Sequence, residues 1–576
     1  MMKVRYLGLV LLLSPLMAAA QGNSRNGVAQ PGRRPVTSSD SIAVQQLYFE
    51  ALRKKTIEDQ KGASELFSRV LQIDAANDAA MYQLAALKKL QNNQPEAQQL
   101  LENAVTLKPD NQWYWVALAD SYEKTNDINK LEHVFDELLR INPDKPDFYF
   151  DKANALYIDK KYDEALAVYT KLEQITGLND ELAAGRQKIY LRQGKLDLAA
   201  TEIERLLVNN PDQVRYYLML GEIYNTNNQT DKALKVLQRA ESISPDNGML
   251  HLALADTYRA KKEFDASFKQ LQLAFAAPNL DIDQKIRIIT GYLPKFPDPN
   301  AKASALALSR IAAEVHPADA KALAVYADML AQNNMFKEAK EVYKKSVQIN
   351  GNIYIVHEQL VRLELGDNAW DEAIKDGENA LSLFPNQAWM NYLVAVAYLQ
   401  KKSTTKALSY LKNAVALQTD DKELSTQSYA ALGDCYHELK DNGQSDAAYD
   451  KALTFNPDNA YTLNNYAYYL SIRNEQLEKA AQMSKHSIDL QPNTASFEDT
   501  YAWILFKQKK YADAKQWIEK AMQHSKNNAT QSEHLGDIMF YMGNTEAAVQ
   551  NWKRAKEYGS KSALLDKKIN EKKYIE

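Results

Sequence analysis

The chain has 576 residues, 45% apolar and 25% charged, which excludes a broadly disordered protein and is enough to bury a large core. Its formal net charge is −4, so it lacks the basic excess expected of a nucleic-acid binder. Length alone predicts several domains, while 33 tyrosines against 19 glycines and 17 prolines favour helices over many short strands and turns.

The chain opens with a short positive region at Lys3 and Arg5, an apolar stretch from Leu7 to Met17, and Ala18-Ala19-Ala20. This pattern predicts a secretory signal peptide over 1–20, cleaved before Gln21. No cysteine stands at the cleavage point, so no lipid attachment is expected there. No later apolar run is long enough to predict a membrane-spanning helix. Residues 21–39, QGNSRNGVAQPGRRPVTSS, are polar and rich in Gly and Pro, and read as a flexible leader. Cys435 is the only cysteine, which leaves no internal disulfide and leans toward a bacterial periplasm. Cys435 itself reads as a small apolar filler inside a helix.

From 40 to 281 one skeleton recurs seven times at a 34-residue step, with starts near 44, 78, 112, 146, 180, 214 and 248. A small residue stands at position eight, a large apolar or aromatic one at eleven, an alanine at twenty (replaced by Leu131 in the third unit) and an apolar or aromatic residue at twenty-four. A Pro-Asp or Pro-Asn turn closes the unit. The stretch from Tyr216 to Asp246, YYLMLGEIYNTNNQTDKALKVLQRAESISPD, shows the pattern. Tyr217, Leu220, Gly221 and Tyr224 share one helical face, and Ala233, Val236, Leu237 and Ala240 share another. NNQT supplies the turn, proline ends the second helix, and Asp or Asn caps the next. Gly221 and Ala233 are expected to meet where the helices approach closely. Residues 282–319 break the register and read as a degenerate helical repeat around a Pro-rich connection. The period resumes over 320–560 with seven more units, preceded at 426 by a short insertion. The repeat over 354–387 departs from the skeleton, with Val361 and Glu364 at positions eight and eleven. Residues 561–576 read as a charged cap.

Tyr217, Leu220, Gly221, Tyr224, Ala233, Ala240 and Pro245 in one unit, and Leu432, Gly433, Tyr436, Tyr449, Ala452 and Pro457 in another, resemble the tetratricopeptide repeat. The resemblance covers roughly 40 to 560. It implies an all-α protein, a right-handed α-solenoid superhelix of about fifteen helix-turn-helix repeats, each needing its neighbours to bury its faces. The several-domain prior gives way to one array.

No phosphate-binding loop, nucleophile elbow or paired-histidine zinc motif is found, and the eight histidines are scattered. No enzyme, cofactor or metal is therefore expected. In the resembled family the first helix of each repeat lines a groove, with positions nine and twelve among those facing it. Position nine is acidic in six repeats, at Asp120, Glu222, Asp256, Asp328, Asp434 and Asp537, which would favour a basic or donor-rich partner segment. The Lys/Asn clamp with which some relatives hold a terminal carboxylate is missing; of its positions only Asn154 fits. Near the C-terminus, Tyr468 and Trp503 at position nine and Phe506 at position twelve are candidate aromatic anchors. The expected function is a non-enzymatic scaffold of the bacterial envelope, periplasmic or associated with the outer membrane, docking other envelope proteins or peptide segments. The alternative is an envelope protein that binds glycans on aromatic platforms.

Overall fold

The computed structural model describes residues 37–575 apart from residue 297. The expected signal peptide over 1–20 and most of the expected leader lie outside these residues. The described part consists of 31 α-helices and one 3-10 turn, with no strand. The first helix, Ser38–Thr56, begins inside the stretch read as leader, where Thr37 and Asp40 form a reciprocal capping box. Packing divides the chain into two compact units, one ending at Ile223 and the other starting at Tyr224.

Both units are built from the same helix pair. In the second unit, Lys422–Glu438 packs on Asn442–Phe455, and Ala529–Tyr541 on Thr545–Glu557. Helix starts follow the expected chemistry. The side chains of Asn247, Asn459 and Asn528 accept from backbone N–H groups of the first turn that otherwise lack a partner. Most pairs carry a buried alanine at position twenty, with Leu131, Ser267 and Ser445 in its place in three of them. Ala63, Ala97, Ala165 and Ala199 in the first unit are fully buried, as are Ala233, Ala339, Ala373, Ala407, Ala480, Ala514 and Ala548 in the second. Gly221 and Ala233 are both buried. In two later repeats the glycine at position eight faces the aromatic ring at position twenty-four. A Cβ on Gly433 would lie 2.6 Å from the Tyr449 ring, and one on Gly536 would lie 2.4 Å from that of Trp552.

The turn inside each pair rests on one residue with positive φ. Glu58, Asn92, Asn126, Lys160 and Gly194 occupy it in the first unit, at a spacing of 34. Asn228, Lys262, Asn334, Asn368, Lys402, Lys440, Asn474, Lys509 and Gly543 occupy it in the second. Glycine and asparagine tolerate this conformation; lysine holds it at a cost of about 1 kcal/mol.

A second tether joins consecutive repeats. Trp115, Tyr149 and Tyr217, all at position four, donate to the carbonyls of Pro109, Pro143 and Pro211 at 2.7, 2.8 and 3.0 Å. His251 Nε2 lies 2.6 Å from the Pro245 carbonyl and His357 Nε2 lies 2.8 Å from that of Gly351. In each case the acceptor sits six residues earlier, in the turn that closes the preceding repeat. Many of the polar aromatic rings are therefore structural: each buries a ring and satisfies a turn carbonyl.

The stretch 282–319 contains the helices Ile282–Thr290 and Pro299–Val315, joined through the 3-10 turn Leu293–Lys295. Lys285 anchors it. This side chain is fully buried and donates to the carbonyls of Phe275 and Ala277, at the end of the helix Phe264–Ala276, at 2.8 and 3.0 Å. It also lies 2.8 Å from His316 Nε2. A cation at a helix C-terminus meets the exposed carbonyls and the negative end of the dipole. Burial lowers the Lys285 pKa to about 8.

Candidate partner-binding site

The six acids at position nine meet different fates. In the first unit, Asp120 is half-buried between Lys89 at 3.0 Å and Lys124 at 3.2 Å. Burial opposes its charge, but the two ammonium groups hold its carboxyl below the usual range. Glu222 is exposed.

In the second unit Asp256 is exposed and pairs with Arg259 at 2.7 Å. Three other acids each accept from an aromatic residue of their own repeat, and of these Asp537 is closed off by burial, contrary to the expectation of a groove carboxylate open to a partner. Asp328 accepts from the Tyr343 hydroxyl while remaining exposed. Asp434 accepts from Tyr449 at 2.5 Å and from Tyr469 at 3.0 Å. Asp537 is 2% exposed, accepts from the Trp552 indole at 2.8 Å and receives Lys568 on both oxygens at 2.9 Å. Burial raises the pKa of Asp434 and Asp537, against the opposing effect of these donors.

The rule behind this is local. Tyr343, Tyr449 and Trp552 each stand fifteen residues after the acid, at position twenty-four. Where that position carries a hydroxyl or an indole N–H, the acid accepts from it. Phe135 and Leu271 occupy it after Asp120 and Asp256 and offer no donor. The pairing of an acid with a polar aromatic fifteen residues on was readable in the sequence, but only if both helices of the repeat were considered together.

The three aromatics separate as well. Tyr468 is 37% exposed. Trp503 is half-buried, stacked on His534 at 4.2 Å and on Phe506 at 4.9 Å. Phe506 is 5% exposed and is not the open anchor expected from its position. Its ring is enclosed by Tyr511, Tyr541 and Tyr574. His534 is held by Asp499 at 2.7 Å. Burial opposes its protonation, but the carboxylates of Asp499, Asp537 and Glu533 raise its pKa. Beside these rings lies a cleft of about 270 Å³ lined by Trp503, Thr530, Glu533, His534, Asp537, Lys568 and Tyr574 among others. The Nε1 of Trp503 is buried without a hydrogen-bond partner among the described residues.

Cys435 is fully buried, and burial together with the nearby Asp434 and Glu438 charges pushes its thiol up to about 12. It fills space and is a poor nucleophile at neutral pH. Among the described residues no helix is long and apolar enough to cross a membrane.

Models of the tetratricopeptide repeat match residues 116–179, 188–248, 320–353, 426–459 and 448–482. The chain is 25% identical over 148 residues to the type IV pilus assembly protein PilF of Pseudomonas aeruginosa, covering 26% of this chain and 57% of that one. It is 27% identical over 169 residues to a TPR repeat-containing protein of the same organism, covering 29% and 28% of the two chains. The chain thus spans about half or less of the length of these relatives. A tetratricopeptide repeat protein from Parabacteroides merdae superimposes with a TM-score of 0.36 and 18% identity, over 44% of this chain and 98% of that one. A turn residue of positive φ recurring at the repeat period, a buried alanine at position twenty of most repeats, and family models matching in both units lead to one assignment: the chain is a tetratricopeptide-repeat protein.

Proposed function

We propose that this protein is a non-catalytic scaffold of the bacterial cell envelope, exported to the periplasm, which holds segments of other envelope proteins against the first helices of its repeats. Repeats of this family generally mediate protein–protein interaction. The observation that carries the reading is the accessibility of groove positions that packing leaves uncovered. In the second unit Tyr468 and Asp256 face solvent at position nine, and in the first unit Glu222 does so. Tyr468 offers an aromatic anchor there, and Asp256, held only by the surface Arg259, can exchange that partner for a donor-rich segment. The signal-like N-terminus and the likeness to a pilus assembly protein support an envelope setting. A sugar platform built on Tyr468, Trp503 and Phe506 loses its third ring to the core.

The test is crosslinking of the mature chain in the envelope fraction, with Tyr468→Ala and Asp256→Lys chains in parallel. One or two stoichiometric partners, reduced at least ten-fold in either variant, are expected. Recovery of the chain with cytoplasmic proteins only, or partners indifferent to both substitutions, would refute the reading.

A further inference from the structure

The C-terminal segment lies on two of the positions that the resemblance assigns to the groove. Its short helix, Leu565–Glu571, is anchored by Leu565 against Ala548, Trp552 and Ala555, as a cap on the last helix pair requires. Two further contacts go beyond capping. Lys568, 5% exposed, reaches both oxygens of Asp537, at position nine of the last repeat, and Glu533 at 3.0 Å. Six residues on, the Tyr574 ring packs 5.8 Å from Phe506, at position twelve of the preceding repeat, and 5.1 Å from Tyr541. A cation and an aromatic ring thus occupy an acid pair and an aromatic cradle.

The fit is incomplete. The cleft of about 270 Å³ beside Tyr574, which Trp503 helps to line, stays open, and the Trp503 indole N–H is buried without an acceptor among the described residues. An unpaired buried donor marks a place where a better occupant gains a hydrogen bond. We infer that the groove of the last two repeats receives a partner segment carrying a lysine or arginine and, six residues later, an aromatic ring, and that the chain's own C-terminal segment holds this place until displaced. The partner's backbone carbonyl, or a hydroxyl, takes the Trp503 N–H. This inference rests on the scaffold reading and specifies the ligand of one end of it.

A tethered occupant competes at an effective concentration on the order of millimolar, so weakening it exposes the site to added ligand. The probe is a labelled peptide with the sequence of residues 561–576, titrated by anisotropy into the full chain and into Tyr574→Ala and Lys568→Gln/Tyr574→Ala chains. Tyr574→Ala alone leaves the Lys568 ion pairs and Leu565 in place, so the last repeat keeps its cap; circular dichroism checks this. The Lys568→Gln/Tyr574→Ala chain, in which both places are freed, is expected to bind the peptide at least ten-fold more tightly than the unaltered chain, with the Tyr574→Ala chain between the two. A peptide carrying the same Tyr→Ala change is expected to lose that affinity. Equal binding to all chains, or binding to none, overturns the inference. Because the probe involves no envelope protein, that failure leaves the crosslinking test of the scaffold reading untouched.

Discussion

Glu364 is the sharpest departure from the repeat pattern, and its effect on stability can be worked out. It stands at position eleven, where Tyr122, Tyr398 and Tyr436 occupy other repeats. Its side chain is fully buried, and neither carboxylate oxygen accepts a hydrogen bond among the described residues. The Asp376 carboxyl is its neighbour, and Lys344 Nζ, 3.8 Å away, also serves Glu372 at 2.8 Å. Burial first, and then the Asp376 charge, push the Glu364 pKa up to about 8. The folded state therefore keeps a proton that the unfolded state, with a value near 4.5, releases. Below 4.5 both states hold the proton and the linkage contributes nothing. Between that value and 8 the folded state binds one proton more, so stability falls by about 1.4 kcal/mol for each pH unit. At pH 7.5 the upper bound is about 4 kcal/mol. Glu364→Gln removes the titration, retains the shape and lets the amide donate to Asp376. A gain of about 2 kcal/mol at pH 7.5 is expected, since the amide keeps part of the desolvation cost. The assay is urea unfolding of both full chains from pH 5 to pH 8.5, read as the difference at each pH so that other titrating groups cancel. A difference that does not grow with pH would refute the assignment of a retained proton to Glu364.

Other substitutions test the packing. Gly433→Ala places a Cβ against a Tyr449 ring that is fully buried and fixed by Asp434, and should cost about 1–3 kcal/mol in the unfolding midpoint. Gly443→Ala, on the partner helix with nothing within 4 Å, should instead be neutral or gain about 0.5 kcal/mol. Lys440→Gly relieves a left-handed lysine at φ 66 and should raise stability by about 0.5–1 kcal/mol, measured by thermal unfolding. Lys285→Met strips the donor from the carbonyls of Phe275 and Ala277, and should lower the midpoint by about 2 kcal/mol while speeding amide exchange over 264–290.

Much of the fold was legible because a repeat states each requirement many times. A single alanine at position twenty proves little, but the same alanine at a fixed step is a demand for close approach, and every one of those residues is buried. The caps were legible for the same reason, since Asn247 and Asn459 follow Pro-Asp turns. What the pattern hid depends on pairs of positions or on chain outside the repeat. Phe506 occupies a position expected to face an open groove, but Tyr574, which packs against it, arrives from beyond the last repeat. Nothing in the sequence around Lys285 marks the carbonyls of Phe275 and Ala277 that it serves.

The position-nine acids show how far a one-position reading goes. Their type at a fixed place is a property of one helix; whether they are available to a partner is decided by the other. Tyr449 and Trp552 fill the space left by Gly433 and Gly536, and each then has a polar atom needing a partner in a dry interface. The acid beside that glycine meets the need, so glycine at eight, acid at nine and a polar aromatic at twenty-four form one packing device. At Asp256, by contrast, Ala255 precedes the acid and Leu271 replaces the aromatic, and the carboxylate faces water. The same arithmetic applies at the C-terminal end. Asp537 satisfies Trp552 and still has lone pairs to spare, which Lys568 takes up from outside the repeat. A carboxylate that has met its structural duty and still accepts a cation is where this fold can turn packing into recognition.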